Sequence, residues 1–323
     1  MRVRQERESF VCAGPLCVRL RYLPVGPVKV YADNGKKTKK YTEGKDYAVG
    51  GDSLLRLPGS ALPDFSLAPL YGQKQFDHEK FAVWGNAPYM LFADYEAEAN
   101  ADETTEAVAK TEAEKSGNAH ALKAFFESIE KRAEILVLGD SISTGCEATT
   151  QARAYYSLFA KAAEEKYGVR LKITNKSIGG ETSRDGLARH EQVIGESNAR
   201  LMILAYGMND QNLFESGQAV DPEEYRRNIC TMAAAAEQKG MKVLLVSPCE
   251  PHPEWIHTSG RMAEYVEVLR TVSKERGYAF ADANFLWRLE LFYKKPDDLL
   301  NNGINHPTDY GHFIYAQALK QLL

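Results

Sequence analysis

The sequence predicts an α/β protein in which a parallel sheet is covered by helices on both faces, preceded by a smaller β-rich domain. Three observations carry that prediction. In the C-terminal part of the chain, short apolar runs alternate regularly with amphipathic helical segments, the pattern of a buried parallel sheet. In the N-terminal part, apolar and polar side chains alternate with period two between Gly-, Asn- and Asp-containing turns. Between them lies a stretch rich in Ala, Glu, Thr and Lys and poor in large apolar residues, where a boundary belongs. The expected organisation is therefore a β-rich domain over 1–95, a charged linker or surface helix over 96–118, and the sheet domain over 119–323.

The elements follow in order. Residues 18–22 and 28–31 read as half-buried strands, and Asp33-Asn34-Gly35 supplies the positive-φ residues of a tight turn. Residues 41–49 and 54–57, split by Gly50-Gly51-Asp52, predict a second hairpin, and a tract punctuated by prolines and aromatics fills 58–88. The lysines at 36, 37, 39 and 40 read as a solvated turn, with an acidic ligand as the alternative. Helical spacing resumes over 121–132. Strands are then expected at 135–138, 169–174, 201–205, 243–246 and 278–281. Helices are expected at 152–167, 184–196, 222–239, 262–276 and 309–323.

Composition narrows the function classes. Hydrophobic residues make up 44% of the 323, enough for a sizeable core. The net charge of −4 is concentrated in residues 96–115, which hold seven acids and two lysines, so no basic face for nucleic acid is expected. No apolar run is long enough to span a membrane, and the start MRVRQERESF lacks the apolar stretch of a secretory signal, so a cytoplasmic location is expected. The cysteines at 12, 17, 146, 230 and 249 have no CxxC spacing and read as reduced thiols, not a disulfide or zinc framework.

The stretch ILVLGDSISTG poses the functional question, since a serine just past a strand is either a helix cap or a nucleophile. Working groups of such sheets collect beyond the carboxyl ends of the strands. There the sequence places Gly139-Asp140-Ser141, then the loop from Asn175 to Thr182 with Gly179-Gly180, then Gly207-Met208-Asn209-Asp210, then Ser247-Pro248-Cys249, and finally Asn305-His306-Pro307. A serine hydroxyl needs a base within hydrogen-bond reach, usually a histidine. Of seven histidines, only His306 stands in a loop at the start of a helix, next to a proline. The Ser141 N–H, the Gly180 N–H and the Asn209 amide are the candidate donors for an oxyanion, and Asp140 and Asp210 are read as anchors of loop backbone. Cys249, His252 and His257 fit no common zinc spacing, so no metal is expected, and there is no GxSxG elbow.

These four blocks, Ser141 in GDS, Gly180 in IGGET, Asn209 in GMND and His306 in NHP, resemble those of the SGNH (GDSL-type) hydrolases, in the same order and across about 133–323. The β-rich N-terminus is similar to the accessory region of some uncharacterised members. The resemblance implies a flavodoxin-like three-layer α/β/α hydrolase domain, a carboxylic ester hydrolase activity, a small-molecule acyl ester as partner, and no metal or organic cofactor. Among substrates it favours O-acetyl groups on carbohydrates, an acetylated glycan. The alternatives are a thioesterase or lysophospholipase, and a catalytically weakened scaffold that only binds a ligand. One departure stands out: the family usually carries Asp three residues before the histidine, and this chain has Gly303. Asn302 is the candidate orienter of His306, with Asp297 and Asp298 as more distant acids. Glu250 and Trp255, in the loop after the fourth strand, are the candidate pocket residues.

Overall fold

The computed structural model describes residues 1–100 and 104–323; residues 101–103, inside the expected connector, lie outside the described residues. The N-terminal part is built from β1 (Arg2–Phe10), β2 (Leu16–Arg19), β3 (Leu23–Pro24), β4 (Lys29–Asp33), β5 (Thr38–Lys40), β6 (Tyr47–Gly50), β7 (Ser53–Arg56) and β8 (Leu91–Glu98). One antiparallel sheet runs β1-β8-β4-β5 with β3 also on β8, and another runs β2-β7-β6. Both expected hairpins form. Asp33 pairs with Thr38 across a turn where the Asn34 side chain accepts from the Lys36 and Lys37 N–H groups, and Gly50 pairs with Ser53. Phe10, Val18, Val30, Leu54, Leu91 and Tyr95 belong to an apolar core confined to the N-terminal part. Residues 58–88 form turns and short 3₁₀ helices that bury Leu62, Phe65, Phe76 and Asn86.

Cys12 and Cys17 are joined in a disulfide, which corrects the expectation of five reduced thiols. The two cysteines flank a short loop between β1 and β2, so sequence separation alone gave no zinc or redox pattern to read. The bridge also removes thiol usage as an argument for a reducing compartment. Among the described residues no helix is long and apolar enough to cross a membrane.

The C-terminal part runs α1 (Thr105–Ser116), α2 (Lys123–Glu127), β9 (Arg132–Gly139), α3 (Ser141–Thr144), α4 (Tyr155–Tyr167), β10 (Arg170–Asn175), α5 (Ser183–Glu196), β11 (Leu201–Ala205), β12 (Leu213–Phe214), β13 (Gly217–Gln218), α6 (Pro222–Gln238), β14 (Lys242–Val246), α7 (Met262–Arg276), β15 (Ala279–Ala281), α8 (Ala283–Glu290), α9 (Pro296–Leu299) and α10 (Asp309–Lys320). The five long strands pair in parallel in the order β10-β9-β11-β14-β15, the flavodoxin-like order. Helices α5, α6 and α7 pack in series, while α4, α8 and α1 gather on α10, so the sheet is covered on both faces. Local chemistry sets the ends: Thr182 and Asp185 form a capping box on α5, Asp221 caps α6 ahead of Pro222, and Gly277 closes α7 in the left-handed conformation. Apolar spacing over 121–132 overstates the helix there, because α2 stops at Glu127 and Arg132 already pairs in β9.

Ions buried between the two parts join them. Lys294 and Glu8 form an ion pair with both side chains at 0% exposure, and Glu8 also accepts from the Tyr95 hydroxyl and, at 2.8 Å, from the Arg21 N–H. Arg21 meets Glu290 at 3.2 Å, and Glu290 accepts from Thr105 at 3.0 Å and Tyr310 at 3.1 Å. A bulge in β1 puts Arg7 at positive φ, and its guanidinium reaches Asp309 at 2.6 Å and Asp33 at 2.8 Å. Asp298 accepts from the Val11 N–H at 2.9 Å. Removing one member of such a buried pair typically costs about 3–5 kcal/mol, because its partner is left charged and dry.

Candidate active site

Ser141 opens α3 directly beyond β9, and Asn209 lies in the turn after β11; these are the two neighbouring strands at which the connections of the sheet change direction. The cap of α3 is Asp140, whose carboxylate accepts the Ile142 N–H at 2.9 Å. Capping is thus done by the neighbour, and the Ser141 hydroxyl is left for another partner. That partner is His306, whose Nε2 lies 2.8 Å from Ser141 Oγ although the residues are 165 apart in sequence. Close packing at the strand end requires Gly139: a Cβ there would fall 2.4 Å from the Ala205 carbonyl oxygen and 2.6 Å from Ser143 Oγ.

The other two blocks converge on the same place. A Cβ on Gly179 would lie 3.8 Å from the Ser141 Cβ, and the space in front of Gly180 is open. Among the described residues, neither the Ser141 N–H nor the Gly180 N–H is donated to a protein acceptor. Asn209 Nδ2 donates one of its two hydrogens to the Glu181 carbonyl at 2.9 Å, which holds the amide against the Gly180 loop and leaves the second hydrogen. Glu181 is fastened in turn, by a bidentate pair with Arg189 and by the Tyr206 hydroxyl at 2.9 Å. Asp210 accepts the Ser183 N–H at 2.9 Å and 3.1 Å, tying the GMND turn to the start of α5. Burial pushes the Asp140 carboxyl up to about 7 and the Asp210 carboxyl up to about 6, against the pull of the N–H groups they accept.

The His306 loop is held in a way the sequence did not disclose. The Asn302 side-chain oxygen accepts three N–H groups in succession, from Ile304 at 3.0 Å, Asn305 at 2.9 Å and His306 at 2.8 Å, and its Nδ2 donates to Asn305 at 3.0 Å. Asn302 therefore fixes the backbone that carries His306, not the imidazole itself. Asp297 and Asp298 are engaged elsewhere: Asp297 with Asn86, and Asp298 with the Val11 and Lys295 N–H groups. Among the described residues, Ser141 is the one hydrogen-bond partner of the His306 ring. With no carboxylate acting on it, burial pushes His306 down to about 4, and His312 adds to the shift. The ring is neutral at pH 7 and free to accept a proton.

Gly303, where the family carries its acid, has φ +72, and a Cβ there would fall 3.0 Å from Asn86 Oδ1. Asn86 comes from the N-terminal tract and is 1% exposed. Its N–H donates to the Asn301 carbonyl at 2.8 Å and its amide to the Leu300 carbonyl at 3.0 Å. Nothing in the sequence signals this contact, because 86 and 300 are remote and Asn86 sits in a tract without periodicity.

The remaining sequence candidates fall outside the Ser141–His306 pair. Trp255 is 5% exposed and packs with Leu70, Phe76 and Ile304, so it braces the His306 loop from beneath. Glu250 accepts from the Asn284 amide at 3.2 Å, on α8. Cys249, His252 and His257 point to separate partners: the Asn305 carbonyl, Asp297 and the Leu213 carbonyl. The Glu181–Arg189–Tyr206 group and Asn86 are the supporting residues that sequence reasoning missed.

The model of the GDSL-like lipase/acylhydrolase family matches residues 137–314, which contain all four blocks. Esterase TesA of Pseudomonas aeruginosa is 32% identical over 131 residues, which cover 40% of this chain and 62% of TesA, so the match spans less than two thirds of that relative. Thioesterase 1/protease 1/lysophospholipase L1 of Escherichia coli is 26% identical over 188 residues, 58% of this chain and 82% of that protein. Among solved structures, a catalytic mutant of Axe2, an acetylxylan esterase from Geobacillus stearothermophilus, superposes with a TM-score of 0.52 at 21% identity over 60% of this chain and 95% of its own, a likeness of fold. With more than half of its length matched, this chain belongs to the GDSL-like lipase/acylhydrolase family.

Proposed function

We propose that the protein is a serine esterase that hydrolyses small acyl esters, with O-acetyl groups on carbohydrates as its substrates. The observation that carries the reading is the 2.8 Å contact between Ser141 Oγ and a neutral His306 Nε2. In the forward half-reaction Ser141 Oγ bonds to the ester carbonyl carbon while its proton passes to His306 Nε2; a ring that does this carries its own proton on Nδ1. The Ser141 N–H, the Gly180 N–H and the second Asn209 amide hydrogen receive the oxyanion. Collapse breaks the bond to the alcohol, which leaves with the proton from His306. Water then attacks the acyl-enzyme, gives its proton to His306, and Ser141 departs reprotonated with release of the carboxylic acid. Asp140, Asp210 and Glu181 position loops in this scheme, and Asn302 and Asn86 position the histidine.

The carbohydrate part of the reading is supported by the name of the Axe2 neighbour and by the absence, in the sequence, of a long apolar stretch suited to a lipid tail. The name of the Escherichia coli relative favours a thioesterase or lysophospholipase instead. A panel of p-nitrophenyl acetate, p-nitrophenyl decanoate, an acyl-thioester and acetylated xylo-oligosaccharides, run on wild type and Ser141→Ala, separates the two. The reading predicts hydrolysis of the acetyl esters, weak action on the decanoate, and loss of all of it in the variant. Activity retained by Ser141→Ala, or confined to the long-chain and thioester substrates, would contradict it.

A further inference from the structure

Two exposed aromatic side chains, Trp84 at 37% and Phe214 at 47%, are joined by a run of rings. Trp84 meets His78 edge-on with centroids 4.8 Å apart, His78 lies 6.4 Å from His257, and His257 lies 5.0 Å from Phe214. Trp255 lies underneath, 5.8 Å from His78 and 5.3 Å from His257. The run crosses from the N-terminal tract to the loops after β11 and β14. Backbone bonds fix the crossing: Phe76 N–H donates to Glu254, Ile256 N–H to Phe76, and Leu213 N–H to His257. It is also rooted beside the histidine of the site, since His252 N–H donates to the Ile304 carbonyl at 2.6 Å and Trp255 packs on Ile304.

Hydrogen bonding settles what these imidazoles present. Indole Nε1–H only donates, so His78 Nδ1, 3.1 Å from Trp255 Nε1, is an acceptor and the neutral ring carries its proton on Nε2. The Leu213 carbonyl only accepts, so His257 Nδ1, 3.2 Å away, holds a proton. Burial keeps His78 below the usual imidazole range, hence neutral at pH 7. Lysines close by are already paired, Lys74 with Glu254 and Lys80 with Asp77. The strip therefore offers apolar ring faces at its ends and, between them, an uncharged donor at His78 and the polar edge of His257. An acyl chain has no use for the polar pair, and an anion would meet no unpaired lysine among these. A pyranose fits both features, with a C–H face for the rings and a rim of hydroxyls that donate and accept.

We propose that Trp84, His78, His257 and Phe214 form a subsite for a neutral oligosaccharide, which holds the glycan whose ester is cleaved at Ser141. Its purpose rests on the esterase reading, but its existence is tested without turnover. Ser141→Ala protein is titrated calorimetrically with xylohexaose and with cellohexaose, alone and with Trp84→Ala or Phe214→Ala added. Binding of at least one hexaose is expected, weakened about tenfold by either substitution, as loss of one stacking contact predicts. In the Ser141 background, kcat/KM for p-nitrophenyl acetate should stay within about twofold, and circular dichroism should show the fold retained, because both side chains are partly exposed and outside the core clusters. No binding of either hexaose, or binding that ignores both substitutions, overturns the subsite. A KM for p-nitrophenyl decanoate that rises in Trp84→Ala while hexaoses do not bind also overturns it, in favour of an acyl chain. Failure of wild type to hydrolyse any ester would sink the esterase reading and leave hexaose binding to be judged on its own.

Discussion

Substitutions at Asn302 probe the histidine loop from both directions. Asn302→Ala leaves three N–H groups, now bonded at 2.8–3.0 Å, without their acceptor in a buried turn. At about 1–3 kcal/mol for each unmet donor, partly relieved by relaxation, the loop loses on the order of 3–6 kcal/mol of local order. His306 should then leave the line of Ser141, and kcat/KM for p-nitrophenyl acetate should fall by at least about 100-fold. Asn302→Asp keeps the acceptor, gives up the Nδ2 bond to Asn305 and adds a charge. At an effective dielectric of about 20, a charge several ångström from the imidazole contributes on the order of 2 kcal/mol, or between one and two pKa units. The acid limb of the kcat/KM profile, expected near 4 in wild type because protonated His306 cannot accept a proton, should move up toward 5–6. A more basic imidazole should also raise kcat at pH 8 several-fold. The assay is a pH series with p-nitrophenyl acetate at fixed ionic strength. A wild-type limb at 6.5 or above, or an Asn302→Asp limb that does not move, would refute the electrostatic reasoning.

Other predictions concern the frame around the site. Lys294→Met leaves Glu8 charged and buried, so chemical denaturation should show a loss of about 3–5 kcal/mol; a loss below about 1 kcal/mol would mean the pair carries little. Gly139→Ala sets a methyl 2.4 Å from the Ala205 carbonyl oxygen, so it should lower stability by about 1–3 kcal/mol and activity with it, as thermal melts and ester assays would show. Deleting 1–95 strips Glu290, Lys294, Asp298 and Asp309 of partners and removes Asn86 from the His306 loop. The truncated chain should be unfolded or aggregated by circular dichroism and gel filtration; a soluble truncation with wild-type ester turnover would show that the two parts are independent. His306 and His312, both held near 4 by burial, bind protons more readily when unfolded, so stability should fall as pH drops from about 6.5 toward 4.

The sheet domain was legible because periodicity and position carried it. Residues 201–205 and 262–276 are strand and helix as expected, and the Ser141, Gly180 and Asn209 blocks follow the carboxyl ends of β9, β10 and β11, where ligands of such sheets bind, while the His306 block precedes α10. The nine residues of β1, RVRQERESF, were not legible as a strand. Its inward-facing Gln5, Glu8 and Ser9 are polar, and Glu8 and Ser9 are matched by partners from other segments, so no apolar alternation marks it. Helix α8 was missed because it follows β15 with a single intervening residue, Asp282. At the site, the serine and histidine could be named from their blocks, whereas the support for His306 could not. It comes from Asn302, which reads as a turn residue, and from Asn86, whose role depends on a contact between segments more than two hundred residues apart.

The most direct test of the central claim is labelling with a serine-directed fluorophosphonate followed by peptide mass spectrometry, on wild type and on His306→Ala. The account predicts a single adduct on Ser141 in wild type, formed at least about 100-fold more slowly in the variant, since the hydroxyl then has no base at 2.8 Å. An adduct on another serine, or equal labelling of Ser141 in both proteins, would contradict it.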